Sequence, residues 1–354
     1  MSPSICLIAG DGIGAEVVPA ARRVLQALLP AASFVEAEAG WATFERTGEA
    51  LPAATLTAVA AADATLFGAV SSPSRRVAGY RSPIVGLRRQ LDLYACVRPV
   101  RTPPLPGARA GVDLLVVREN TEGLYAGLEQ REGDDRATAT RVVTRAASER
   151  IVRWALQYAR ANGRRRVTLV HKANVLRETC GLFREAGLAV LADAEGIEVD
   201  ELLVDNAAYQ LARDPGRFDI LVTTNLFGDI LSDVASVWGG GLGLAASANY
   251  GPANAVFEPV HGSAPDIAGR GVANPLATLG AAALLLEFVG RPAEAARLRE
   301  AIGLTLSAGP RTSDLGGSAT TGAVIESILA NLNDAPSERR PILQAAATAG
   351  DWQI

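Results

Sequence analysis

Ile5–Cys6–Leu7–Ile8–Ala9–Gly10–Asp11–Gly12–Ile13–Gly14–Ala15 reads as an apolar strand, a tight turn and the start of a helix. The strand is a continuous apolar run rather than an alternation, which suits a strand covered on both faces. Its glycines stand at 10, 12 and 14, and Ala15 occupies the place where a GxGxxG dinucleotide fingerprint carries its third glycine. The turn is therefore read as a local strand-to-helix connection. The glycine-rich run at 239–243 fails the same spacing. The chain reads as α/β but non-Rossmann.

Outward from this unit, β-rich and helical runs alternate. Strands are expected at 5–9, 34–39, 65–70, 113–118, 167–171, 199–204 and 219–223. Helices are expected at 15–29, 52–62, 148–161, 178–194, 226–237, 276–288, 293–306 and 322–332. Pro- and Gly-rich stretches at 99–107 and 239–251 punctuate the pattern. A chain of 354 residues is long for one core. The expected division is a small central domain, 99–241, inserted into a discontinuous large domain formed by 1–98 and 242–354. The stretch 334–354 reads as an extension with no part in the chemistry.

With 49% hydrophobic and 20% charged residues the composition is that of a soluble globular protein. A net charge of −4 argues against nucleic acid or an anionic membrane as a partner. Cys6, Cys96 and Cys180 form no CxxC pair and lie in apolar or helical stretches, so buried free thiols are expected. No signal-peptide pattern opens the chain, and no apolar run reaches the roughly 18 residues of a membrane span. A cytoplasmic location is expected.

One count stands out. Among 34 basic residues Lys172 is the lone lysine. In a chain that accepts arginine throughout, a retained lysine suggests a need to lose a proton, which arginine cannot meet; chance survival of one lysine is the other reading. Arg88, Arg98 and Arg118 suit a polycarboxylate, because each guanidinium can grip a carboxylate with two hydrogen bonds; unrelated surface ion pairs are the other reading. Asp229 and Asp233, four apart, share one side of a helix, and Asp205 follows another strand. Oxygen ligands favour Mg²⁺ or Mn²⁺ over zinc, although acids near a helix start also simply complement its dipole. The Gly/Pro/Ser-rich loop from Glu258 to Asp266, with Asn274–Pro275 beyond it, could cradle a nucleotide.

Taken together, these segments resemble the isocitrate/isopropylmalate dehydrogenase family, the β-decarboxylating dehydrogenases, across nearly the whole chain. The matching runs are Gly10–Asp11–Gly12–Ile13–Gly14, Leu87–Arg88 through Asp92–Leu93–Tyr94 to Arg98–Pro99, the stretch from Val117–Arg118 to Leu124–Tyr125, and His171–Lys172–Ala173–Asn174. Asp205–Asn206, the run from Asn225 to Asp233 and the run from Glu258 to Asp266 complete the set, in the family's order. The resemblance implies a two-domain fold that assembles as a homodimer or larger homo-oligomer with shared active sites. Arg88, Arg98 and Arg118 would hold the malate carboxylates. Asp229 and Asp233 would bind Mg²⁺ or Mn²⁺ together with Asp205 of the partner subunit. Lys172, the general base, and Asn174, a substrate contact, would also cross from that subunit. Tyr125 would be the general acid.

By the same resemblance His261, Gly262, Ser263, Ala264, Asp266 and Asn274 would bind the cofactor. Asp266–Ile267 stands where NADP-using relatives carry basic and aromatic residues. A carboxylate there accepts bonds from ribose hydroxyls and repels a 2′-phosphate, so NAD is expected. Residues 38–46 look like the homoisocitrate-oxidising branch. The expected reaction is oxidative decarboxylation of homoisocitrate, a tricarboxylate, to 2-oxoadipate and CO₂ in lysine biosynthesis. Ser82, before Arg88, would meet the substrate's distal arm. Some bacterial homoisocitrate enzymes carry arginine where Val85 stands; the Ser82–Pro83–Ile84–Val85 run resembles the fungal form instead. Isocitrate and 3-isopropylmalate are the alternative substrates. A non-catalytic regulatory subunit would have lost catalytic groups that are all present here.

Overall fold

The computed structural model describes residues 2–75 and 77–334. Beyond residue 334, the expected extension lies outside the described residues.

The strands are β1 (Ser4–Gly10), β2 (Ser33–Ala37), β3 (Ala64–Ala69), β4 (Ala95–Arg101), β5 (Asp113–Glu119), β6 (Gly123–Glu132), β7 (Arg136–Val142), β8 (Arg166–His171), β9 (Glu198–Leu203), β10 (Ile220–Thr223), β11 (Ala246–Tyr250) and β12 (Ala255–Pro259). Ten of them form one mixed sheet in the order β2-β1-β3-β12-β11-β4-β5-β10-β8-β9, while β6 and β7 pair only with each other. Three antiparallel pairings, β12–β11, β11–β4 and β4–β5, interrupt the parallel runs at either end. This is the α/β, non-Rossmann architecture that the first turn implied.

Helices cover both faces, because the buried strands carry apolar residues in both directions. Leu115 and Val117 of β5 pack into one core with Ile151, Trp154 and Ala155 of the helix Arg145–Ala161. Leu114 and Val116, their alternates, enter another with Leu231 and Ala235 of the helix Asn225–Ser236. Toward the other end, the helices Gly14–Leu28, Leu276–Phe288 and Pro292–Ala308 bury Leu25, Leu285 and Leu298 against Ile5, Leu66 and Phe257. Each fully buried side chain of this kind contributes about 1.5–3 kcal/mol relative to exposure.

The two stretches read as punctuation are partly strand. Pro99 lies inside β4, opposite Leu115 of β5, but β11 pairs with β4 only from Ala95 to Val97. The proline sits where one flank of the strand is unpaired, so its missing N–H leaves no gap in a ladder. Residues 246–250, inside the second stretch, form β11 between β4 and β12. Cys6, Cys96 and Cys180 are buried free thiols, as expected.

Candidate active site

Strand register brings the three arginines together. Arg118 ends the apolar part of β5 level with Thr223 of β10, and the next helix begins at Asn225. Arg98 comes from the neighbouring β4, and Arg88 from the last turn of the helix Pro83–Gln90. Gly228 admits the contact with the helix, since a Cβ there would lie 2.6 Å from Arg118 Cβ. Helical spacing then sets Asp229 and Asp233 one turn apart beside the guanidiniums.

All three arginines are buried. Arg118 donates from Nε and Nη2 to Asn225 Oδ1 (3.1 and 2.7 Å) and from Nη1 to Asp229. Arg98 donates to Ser232 Oγ at 2.7 Å, with Asp229 Oδ1 at 3.2 Å and Asp233 Oδ1 at 3.5 Å. Arg88 pairs with Glu258 Oε1 at 3.0 Å. Tyr125, on β6, donates from Oη to Asp229 Oδ2 at 2.6 Å and lies under the Arg118 guanidinium, 4.9 Å from ring to charge.

The charges are frustrated here. Burial first, then the Arg88 and Arg98 charges, hold Arg118 below its ordinary value. Among the described residues, the buried Nε atoms of Arg88 and Arg98 have no hydrogen-bond partner. Burial and the bond to Asp229 push the Tyr125 hydroxyl up, so it carries its proton at neutral pH. Burial would raise Asp229, but Arg118, the Tyr125 hydroxyl and Arg98 overcome it and hold that carboxyl below its ordinary range. Burial raises Asp233, whose side chain is 56% exposed and, among the described residues, makes only the long contact with Arg98. An ionised Asp229 beside a more open Asp233 is an oxygen donor pair fit for a hard divalent cation.

Lys172 and Asp205 stand apart from this cluster. Lys172 follows β8 and donates to Asp205 Oδ1 at 2.5 Å. Asp205 lies in the first turn of the helix Val204–Arg213 rather than in a loop, and the bond from Lys172 holds its carboxyl below the ordinary range. Among the described residues neither joins the arginine cluster by a hydrogen bond or ion pair, and no three His, Cys, Asp or Glu side chains converge as a metal site. Asn174 is exposed on the turn after Lys172.

The loop after β12 meets the first turn of the chain. Ile13 N donates to Ser263 O at 2.9 Å, and Gly12, at φ +55, leaves no room for a Cβ, which would lie 2.1 Å from that oxygen. Ser71 Oγ donates to Ser263 Oγ at 2.7 Å. Ala264 has φ 39, an uncommon conformation for alanine. His261 is held below its ordinary value mainly by burial, and its buried Nε2 has no partner among the described residues. Gly262 and Asp266 are exposed. Asn274 donates to Asp314 Oδ2 at 2.8 Å and accepts from Leu276 N at 3.0 Å, which caps the following helix. Ser82 precedes the Arg88 helix, and its side chain makes no capping bond there.

The sequence reading missed several supporting residues. Glu258 holds Arg88 and accepts from Asn249 at 2.9 Å; Asn225 and Ser232 hold Arg118 and Arg98; Asp314 holds Asn274. Glu258, Asn225 and Ser232 stand within the quoted motifs and could have been read as partners for the arginines. Asn249 and Asp314 carry no local signal.

Residues 4–328 match the family described as isocitrate/isopropylmalate dehydrogenase. The chain is 54% identical over 329 residues to an isocitrate/homoisocitrate dehydrogenase of Thermus thermophilus, covering 93% of this chain and 98% of that protein. It is 46% identical over 337 residues to a homoisocitrate dehydrogenase of Methanocaldococcus jannaschii, covering 92% and 96%. The crystal structure of an isocitrate dehydrogenase from Methylococcus capsulatus superimposes with a TM-score of 0.89 at 45% identity, covering 93% of this chain and 99% of that one.

Proposed function

This chain belongs to the isocitrate/isopropylmalate dehydrogenase family of β-decarboxylating dehydrogenases, and from that premise we propose that it oxidises and decarboxylates homoisocitrate with NAD and Mg²⁺ or Mn²⁺. The observation that carries this reading is the crowding of three buried guanidiniums at Arg88, Arg98 and Arg118, with Asp229 and Tyr125 beside them. Three guanidiniums crowded in a buried site, with Arg118 held below its ordinary value by burial and by the Arg88 and Arg98 charges, suit a polyanion, and carboxylates of a malate supply it.

Arg88, Arg98 and Arg118 bind the malate carboxylates and fix the substrate beside Tyr125. Asp229 and Asp233 would hold the divalent ion. When bound, NAD supplies the hydride acceptor and the ion supplies charge to offset that developing on the 2-oxygen. Lys172 of the partner subunit takes the 2-hydroxyl proton at Nζ, with Asp205 and Asn174 crossing beside it. The separation of Lys172 and Asp205 from the arginines within one chain supports a homodimer or larger homo-oligomer with shared sites. Tyr125 Oη, which keeps its proton, delivers one to the carbon that CO₂ has left. The two-domain division, 99–241 against 1–98 with 242–354, goes with this reading by placing the site between lobes. No helix among the described residues is long and apolar enough to cross a membrane, and three buried free thiols favour the reducing cytoplasm.

For the cofactor, Asp266 is exposed on the loop where a ribose would lie. The wild type is expected to prefer NAD over NADP strongly in kcat/KM. Asp266→Lys should narrow the gap by removing a repulsive charge and adding an attractive one. Equal use of both cofactors by the wild type would refute the assignment.

For the substrate, Ser82 offers an uncommitted hydroxyl before a helix whose Ile84 is buried and whose Val85 is half-buried. Ser82 or Arg81 would meet the distal carboxylate while Ile84 and Val85 line the methylene arm. One methylene is worth only about 1–3 kcal/mol in an apolar pocket, so isocitrate should be a weaker substrate rather than a rejected one. Isopropylmalate should fare worse, because its arm leaves a polar group unpaired. A kinetic panel of homoisocitrate, isocitrate and 3-isopropylmalate tests this, with Ser82→Ala expected to hurt homoisocitrate more than isopropylmalate. Higher kcat/KM on either alternative overturns the substrate and leaves the family intact.

A further inference from the structure

His171 is one of two histidines in the chain, and nothing above gives it a role. It ends β8, and the chain turns immediately after it, with Lys172 O accepting from Val175 N (3.0 Å) and Leu176 N (2.9 Å). Inside that turn Ala173 N donates to His171 Nδ1 at 3.1 Å. The imidazole is 5% exposed. On its other side Nε2 lies 3.5 Å from Glu201 Oε2, a long contact rather than a full hydrogen bond. Glu201, on the adjacent β9, is itself held by Arg184 through two bonds of 2.7 Å.

A ring nitrogen accepts a hydrogen bond only when it carries no proton. Nδ1 is therefore bare, and the ring N–H stands at Nε2, facing Glu201. Burial keeps His171 below its ordinary value, against the opposing pull of Glu201, so this form holds at neutral pH.

We propose that His171 is a positioning residue for Lys172: its Nδ1 fixes the turn that carries the lysine, and the Glu201–Arg184 pair fixes the ring. The inference rests on Lys172 being the base. Removing a hydroxyl proton demands a base held in one place, and a misplacement of about 1 Å can cost about 10²-fold in rate. The ring reaches the amide of Ala173, one residue past Lys172, so its effect is on where the lysine stands and not on the chemistry itself.

The test compares His171→Leu with His171→Asn in the full-length enzyme, with Lys172→Met alongside. Leucine fills the space without an acceptor. An asparagine oxygen accepts from the backbone N–H two residues on, as in an Asx turn, and so replaces Nδ1. His171→Leu is expected to lose about 10–10² in kcat, with KM for substrate and NAD and the melting temperature little changed, and His171→Asn is expected to recover most of the loss. Should the leucine variant not fold, His171→Ala is compared with His171→Asn in the same way. Wild-type kcat in the leucine or alanine variant, or an asparagine variant as slow as they are, overturns the positioning role. If Lys172→Met stays active, the base assignment itself falls; a dead Lys172→Met beside fully active His171 variants sinks only this inference.

Discussion

Lys172→Met is expected to fold normally and to lose about 10²–10⁴ in the rate of substrate oxidation, the usual share of general-base assistance. The lysine, its side chain 24% exposed, bonds within its own chain to Asp205, whose side chain is 66% exposed, so the pair has one partner open to water. A pair with a partner so open to water contributes little to stability. Loss of activity can thus be separated from loss of fold by comparing kcat at saturating substrate with the melting curve. Lys172→Arg should be nearly as poor, because guanidinium does not give up its proton at working pH. An active methionine variant removes Lys172 from the mechanism.

Chelation should abolish turnover, and added Mg²⁺ or Mn²⁺ should restore it. Asp229→Asn should raise the metal concentration needed for half-maximal activity sharply, because the neutral amide is a poorer ligand for a hard cation. The same substitution weakens three internal contacts, since Asp229 also receives Arg118, Tyr125 and, at 3.2 Å, Arg98. Mn²⁺ binding followed directly by its paramagnetic signal separates the two effects: binding should weaken along with activity. Asp233→Asn should do the same with less disturbance, as among the described residues Asp233 makes only its 3.5 Å contact with Arg98. Full activity in excess EDTA contradicts the metal assignment.

The elements that could be read from sequence were those with a strong local period. The helix 276–288 is found where it was expected, because its unbroken apolar run admits no other buried element of that length. β6 and β7 were not read, and their burial explains why: from Leu128 to Ala139 both strands are exposed, so no apolar alternation marks them. β11 was hidden by composition, since Ala–Ser–Ala–Asn–Tyr carries little β-propensity and is a strand because β4 and β12 flank it. Asp205 follows a strand, β9, as the sequence implied, and the structure adds that it is the second residue of the helix Val204–Arg213.

What the sequence carried by itself was residue type and local spacing: one lysine in an arginine-rich chain, arginines at 88, 98 and 118, and aspartates four apart on a helix. Those readings need only side-chain identity and helical spacing. Tertiary structure decided who holds whom. Arg118 meets Asn225 and Asp229 because β5 and β10 are in register, and Arg88 meets Glu258 across 170 residues of sequence. It also decided that Tyr125 rests on Asp229, that Lys172 turns to Asp205, and that the Ala173 N–H beside it meets His171 Nδ1. Such pairings depend on strand order and burial, which act between segments far apart in the chain and leave no local pattern to read.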